Sequence, residues 1–419
     1  MTPISIEWVA AVFFAVALIH TFAAKHFERL SHRYPEHSGL FHLLGEVEVV
    51  FGFWAIVMIV CMAWLQDSTQ ALAYAESRQY TEPLFVFVVM VVAASKPILT
   101  FVMSAVNAVS CLMPMRASLI KAWLCLSVVP LLGSAITEPA AMTIAALMLA
   151  PQVFRPEVPE RVKYFALGVL FVNISIGGTL TSYAAPPVLM VANVWRWDST
   201  FMFAQFGWKA AWAVMINSTV AVFVLRNHFG VNIIDDEAFV GDSIPKAVVA
   251  VHLAFLAAVV VMAHHPVAFI GLFVMFMGFT QAYERYQSPL ILKEALFVGF
   301  FLAGLVVLGG MQQWWLQPIV SSMDPQILFY GATVMTAFTD NAALTYLGSL
   351  ILDISDEAKY SLVAGAVAGG GLSVIANAPN PAGVALLRSG FADESIGAGG
   401  LLVGALFPTV VAMIALLCM

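Results

Sequence analysis

The sequence predicts an all-α polytopic membrane protein made of two related halves, and three observations carry that prediction. Hydrophobic residues make up 61% of the chain and charged residues only 10%, where a soluble protein carries about 25% charged. A ten-residue motif occurs twice. Residues 134–143 read S-A-I-T-E-P-A-A-M-T and residues 336–345 read T-A-F-T-D-N-A-A-L-T, identical at five positions with a constant offset of 202. A glycine-rich stretch recurs at a similar spacing: Gly177 through Pro187 (G-G-T-L-T-S-Y-A-A-P-P) matches Gly369 through Pro379 (G-G-G-L-S-V-I-A-N-A-P). Two motifs repeated in two halves of one hydrophobic chain point to a site formed where the halves meet.

About 20 apolar residues make one helical span. Candidate spans are 5–24, 43–66, 84–112, 162–194, 205–226, 247–264, 266–283, 293–310, 357–388 and 396–418. The first eight residues hold Glu7 and no Lys or Arg. No small-residue cleavage site follows, so 5–24 reads as a span rather than a signal peptide. The stretches 118–151 and 326–353 are each interrupted near the middle by the Thr-acid motif. Each is too short to cross twice and too polar at its centre to cross once, so both read as re-entrant hairpins with the motif at the tip.

Charge placement sets the orientation. Lys25, Arg29 and Arg33 place the loop 25–42 in the cytoplasm, because basic residues accumulate on that side. Asp67, Glu76 and Glu82 suit an outer loop. Arg116 and Lys121 then fall inside, and so do Arg155, Arg161 and Lys163, so the stretch between must return to its own side. Arg285 and Lys293 fall inside, while 311–325 has no basic residue and falls outside. One hairpin then enters from each face, and the halves are inverted. The expected organisation is a first repeat over 1–230 (hairpin 118–151, broken helix 162–194), an acidic linker over 231–246, and a second, inverted repeat over 247–419 (hairpin 326–353, broken helix 357–388). Each repeat has about five transmembrane helices plus its hairpin.

The net charge of −7 contains no basic face or charge run, so no nucleic-acid partner is expected. The four cysteines lie in or beside apolar stretches without metal-like spacing. No nucleophile–base set or metal-ligand cluster appears, which disfavours an enzyme.

Glu138 and Asp340 carry the chemistry. A carboxylate at bilayer depth is costly unless paired, solvated or protonated, and marks an ion or proton pathway. Each also precedes an Ala-rich run, where it suits the N-terminus of a half-helix. The two roles are compatible, because broken helices in transporters place their ends at the ion. Thr137, Thr339 and Asn341 stand beside the acids. Gly177, Gly178, Gly370 and Gly371, followed by Pro187 and Pro379, would unwind a helix and free carbonyls for a desolvated cation, or else form a close-packing patch. Thr179, Thr181, Ser373, Asn377 and Asn380 add oxygen ligands. Lys96, followed by Pro97 near the centre of the third span, needs a counter-charge, and Glu138 is its candidate partner. Glu46 and Glu48 read as a solvated interfacial pair or the lining of a vestibule. His20, His252, His264 and His265 have no ligand spacing. Trp195, Trp197, Trp314 and Trp315 read as interfacial anchors.

The glycine-rich stretch ending in Pro-Pro, the motif T-D-N-A-A-L-T and their inverted recurrence resemble the ion-transporter superfamily, which includes sodium/proton antiporters and arsenite and dicarboxylate carriers. Within it the chain is most similar to the putative Na+/H+ antiporter families, whose hairpins carry an Asp-Asn pair, here Asp340-Asn341. The first tip departs from that pair, having Glu138-Pro139. The resemblance implies an elevator, in which hairpins and unwound helices move against a scaffold, and a homodimer. It implies exchange of Na+ or Li+ for H+ across the inner (cytoplasmic) membrane, with no cofactor and no metal beyond the transported Na+. Two acids facing one site suit that exchange, since one cation then competes with protons. The alternative is a cation-coupled carrier of an organic anion or oxyanion, with Lys96 and the hairpin helix ends holding the anion.

Overall fold

Apolar segments out of reach of water satisfy their backbone groups internally, and here they do so as helices. The computed structural model describes residues 6–113, 116–228 and 244–419, and these are helical with no strand. The helices of the first part are α1 (Ile6–Arg33), α2 (Ser38–Gly45), α3 (Val47–Leu65), α4 (Ser68–Glu76), α5 (Thr81–Ala93) and α6 (Lys96–Leu112). Then come α7 (Ala117–Leu126), α8 (Val128–Ile136), α9 (Glu138–Leu149), α10 (Glu160–Gly177), α11 (Pro186–Trp195), α12 (Ser199–Met202) and α13 (Trp208–Leu225). The rest are α14 (Lys246–Val261), α15 (Pro266–Ala282), α16 (Leu292–Gly309), α17 (Gln313–Val320), α18 (Pro325–Thr336), α19 (Asn341–Ser349), α20 (Asp356–Gly369), α21 (Asn380–Leu387) and α22 (Ala398–Cys418). The expected linker over 231–246 lies outside the described residues as far as 243.

Among the described residues six helices are long and apolar enough to cross a membrane, or eight when each bent pair counts as one span, which makes this a multi-pass membrane protein. That is fewer than the ten spans read from hydropathy. The segment 357–388 is two short helices, and α14 and α15 stop short of full span length, each opening just after or at a proline (Pro245, Pro266). The single span expected over 84–112 is α5 and α6, bent by 62°. Pro97 has no N–H to continue α5 and favours the first turn of a new helix, so Lys96 opens α6 instead of lying inside a span. In the other direction, α1 runs on through Arg33, since nothing breaks it before Pro35, and Arg29 and Arg33 lie on a helix rather than in a loop.

Helix α10 is apolar nearly all round and lies at the centre, buried over 83% of its span. It crosses α22 with Gly168 against the Gly404 backbone, and α3 crosses α16 the same way, with a Cβ on Gly304 overlapping the Gly52 backbone. Helices α8 and α9 pack against each other, and α9 also returns to α7, where Cys125 Sγ lies 3.8 Å from Met148 Sδ. In the second half of the chain Gln317 of α17 ties down the end of the motif-bearing stretch: it donates to Leu352 O (3.0 Å) and accepts from Leu352 N (2.8 Å). The first stretch therefore folds back on itself with the acid motif at the turn, whereas in the second α18 packs chiefly on α20. The legs then interlock: α11 packs on α19, and α21 packs on α9.

Helices α7 and α8 meet at a 41° bend. Pro130 lacks the N–H that Leu126 O would normally accept. Instead, that carbonyl accepts from Asn173 Nδ2 and Ser218 Oγ, each at 2.8 Å. The aromatic residues need one correction. Trp197 is buried, packed on Trp195, Phe201 and Phe206, so it belongs to a core and not to the interface.

The glycine crossing of α3 and α16 sets a test. Gly304→Val forces the two backbones apart, and overpacking of this kind costs about 1–3 kcal/mol. The expected outcome is a lower melting temperature for the purified protein in detergent. A melting temperature equal to wild type would show that the two helices do not touch there.

Candidate binding site between the two helix breaks

At the first tip, α8 ends at Ile136 and α9 begins at Glu138, with Thr137 between them at φ 97°. A positive φ is a steric outlier for a β-branched residue, and strain of this kind costs of order 1–3 kcal/mol. Pro139 suits the first turn of α9. Glu138 is fully buried, and its Oε2 accepts a 2.8 Å hydrogen bond from Asn377 Nδ2, across 239 residues of chain. Its Oε1 has no hydrogen-bond partner. Gly178 is what admits the carboxylate: a Cβ there would overlap Oε1 and lie 2.8 Å from Glu138 Cγ.

The second tip is built differently. Asp340 has ordinary extended backbone (φ −67°, ψ 141°) and caps α19, its Oδ1 accepting from Ala342 N at 2.7 Å. Glu138, aligned with it in sequence, makes no cap; it is already the first helical residue. Asn341 is fully buried and its Nδ2 donates to Ser175 Oγ at 3.4 Å. Ser175 in turn donates to Val367 O at 2.8 Å. Gly370 provides the room, since a Cβ there would overlap Ser175 Oγ and lie 3.1 Å from Asn341 Nδ2. Gly371 likewise abuts the Val172 backbone.

The chain is unwound over 181–185, ahead of Pro186 and Pro187, and around 371–379, as far as Pro379. The glycines themselves keep negative φ, so their role is close approach rather than unusual backbone. Two of their carbonyls, and that of Ser373, are already engaged. Ser134 Oγ donates to Gly177 O (2.7 Å), while Asn380 Nδ2 donates to Gly370 O (2.8 Å) and Ser373 O (2.9 Å). Two hydroxyls are also used up on backbone: Thr179 Oγ1 donates to Ile176 O (2.6 Å) and Thr181 Oγ1 to Ser134 O (2.7 Å).

What remains open is a set of side-chain oxygens. Thr137 Oγ1, Glu138 Oε1, Asn341 Oδ1, Ser373 Oγ, Asn377 Oδ1 and Asn380 Oδ1 are buried without a hydrogen-bond partner. Buried polar atoms are normally satisfied, so this group of exceptions asks for an occupant. Hard oxygen donors suit small alkali and alkaline-earth cations, not soft metals. The charge of Asp340 acts on Glu138, and Asp340 and Asn377 line one cavity. Thr339 is half-buried just before Asp340. Lys96 takes part in no ion pair among the described residues, and the hydrogen bond to Glu138 comes from Asn377 instead. The lysine that is buried is Lys163, which pairs with Glu160 at 2.7 Å, donates to Gly390 O and lies over the Phe391 ring.

Sequence reasoning missed Ser175, two residues before the first glycine pair. Ser134 was in view as the first letter of the repeated motif, but its bond to Gly177 was not.

Comparison with known proteins adds the following. A family model described as "Putative Na+/H+ antiporter" matches residues 5–419. No curated protein matches the chain. Among solved structures, the YdaH transporter of Alcanivorax borkumensis aligns with a TM-score of 0.41 at 13% identity, over 88% of this chain and 96% of that one.

The fit between Gly178 and Glu138 is testable without any functional assay. Gly178→Ala sets a methyl group against the carboxylate and lowers the melting temperature by the equivalent of about 1–3 kcal/mol. In Gly178→Ala/Glu138→Ala the obstructing atoms are gone, and the double variant melts above Gly178→Ala. Strictly additive losses would mean that the two residues are not in contact.

Proposed function

The chain belongs to the Putative Na+/H+ antiporter family, and on that premise we propose that it is a secondary active transporter exchanging Na+ or Li+ for protons. The observation that carries this reading is Glu138: fully buried, in no ion pair among the described residues, with one oxygen held by Asn377 and the other open. An ionised carboxylate in a low-dielectric interior needs a compensating charge. A proton and a small cation each supply it, and they exclude one another. Competition of this kind at one group is the chemical basis of antiport. Asp340, whose charge acts on Glu138, is the second titrating group, and the open oxygens of Thr137, Asn341, Ser373, Asn377 and Asn380 are the proposed neutral ligands.

In this proposal the chain is two inverted repeats. The first, over 1–230, supplies α7–α9 as its hairpin and α10–α11 as its broken helix. The second, over 247–419, supplies α18–α19 and α20–α21. The interlocked packing of α11 on α19 and α21 on α9 supports a site shared by both repeats. Helices α3 and α16, in backbone contact through Gly52 and Gly304, are the proposed scaffold. The hairpins and broken helices move past them as an elevator.

Reconstitution in liposomes with a pH-sensitive dye tests the exchange. Na+ or Li+ added outside should collapse an imposed pH gradient in wild type. Asp340→Asn and Glu138→Gln should bring that response to the level of empty liposomes while each protein still folds, since each amide keeps the shape of its acid. Asp340→Asn working as well as wild type would rule this reading out.

A further inference from the structure

The carboxylates of the proposed exchange do not end with Glu138 and Asp340. A cavity of about 30 Å³ opens beside Asp340, and a second acid, Glu48 in the first turn of α3, lines it too. A water needs roughly 10–15 Å³ of such space, so the cavity admits a small ion with a water beside it. The third polar residue of the wall is Asn377, which is 1% exposed. Its Nδ2 is taken by Glu138 and its Oδ1 has no partner. Val298 and Phe301 of α16 contribute apolar wall. The charge of Glu48 acts on Asp340, and Glu46 acts on Glu48 in turn, while His42 engages Glu46 at 3.6 Å. The cavity itself has no cationic side chain in its wall.

Two carboxylates across a nearly apolar cavity repel each other unless a positive charge lies between them. Asn377 links this cavity directly to Glu138, because one amide serves both. We propose that the cavity is a loading station for the transported monovalent cation, held between Glu48 and Asp340 before it reaches Glu138. The proposal rests on the antiport reading and adds to it a second position for the ion, with its own ligand on a helix outside the repeated motifs. Glu48 then sets how readily the cation enters and leaves the turnover rate to Glu138 and Asp340.

The test is the Na+ dependence of exchange in proteoliposomes at fixed pH. Glu48→Gln keeps the shape and removes a charge from the station, so its KM for Na+ should rise about tenfold or more while the maximal rate changes little. Glu48→Asp keeps the charge on a shorter arm, should fall between the two, and stands in should the glutamine variant fold poorly. A KM equal to wild type overturns the proposal, and so does a lower maximal rate with unchanged KM, which marks a structural residue. Wild-type liposomes giving no Na+-driven pH change would reject the antiport reading instead. In that event, radioactive Na+ binding to the purified proteins still judges the station: weaker binding by Glu48→Gln upholds it, and equal binding overturns it.

Discussion

The constraint on which this structure depends is the burial of the Glu138 carboxylate with no basic side chain among the described residues paired to it. Several features that look independent follow from that one demand. Gly178 must lack a side chain so that the acid fits. Asn377 must come from the far end of the chain to hold one oxygen. Ser134 and Asn380 must satisfy the carbonyls that the helix breaks release, because an unpaired buried backbone group is itself costly. Even the strained backbone of Thr137 belongs here, since it turns α8 into α9 and aims the acid inward.

Much of this was legible in the sequence for a physical reason. A bilayer forces long apolar runs, so any interruption in such a run stands out, and here the interruptions repeat. The Thr-acid tips, the glycine pairs and the breaks before Pro186 and Pro379 were all visible that way. Of the two readings of the glycines, freed carbonyls or a close-packing patch, the structure shows close approach. Composition says that glycine unwinds helices, but these glycines keep negative φ and serve as seats for Glu138 and Ser175. The bend at Pro97, the long α1 and the burial of Trp197 were misread because local residue types cannot say which neighbour a helix will meet. Glu48 is the plainest case. Next to Glu46 at the start of an apolar run it reads as a solvated charge or the lining of a vestibule, and only the fold shows that the cavity it lines also holds Asp340.

The two tips are less alike than their letters. Asp340 spends one oxygen on capping α19, in relaxed backbone, and the half-buried residue lines a cavity. Glu138 caps nothing, is sealed from solvent and sits behind a strained residue. Two similar stretches of sequence thus hold one acid that is half-buried and one that is fully buried.

The bond between Glu138 and Asn377 also bears on how the protein is made. The two residues are 239 positions apart, and a ribosome adds about 5–20 residues per second. For some 10–50 seconds of synthesis, the first hairpin therefore exists while its partner does not. During that interval the acid has neither its amide nor the packing of α21 on α9. A nascent chain in that state presents an unsatisfied carboxylate to the insertion machinery, and the first hairpin has reason to wait at the membrane surface until the second half arrives.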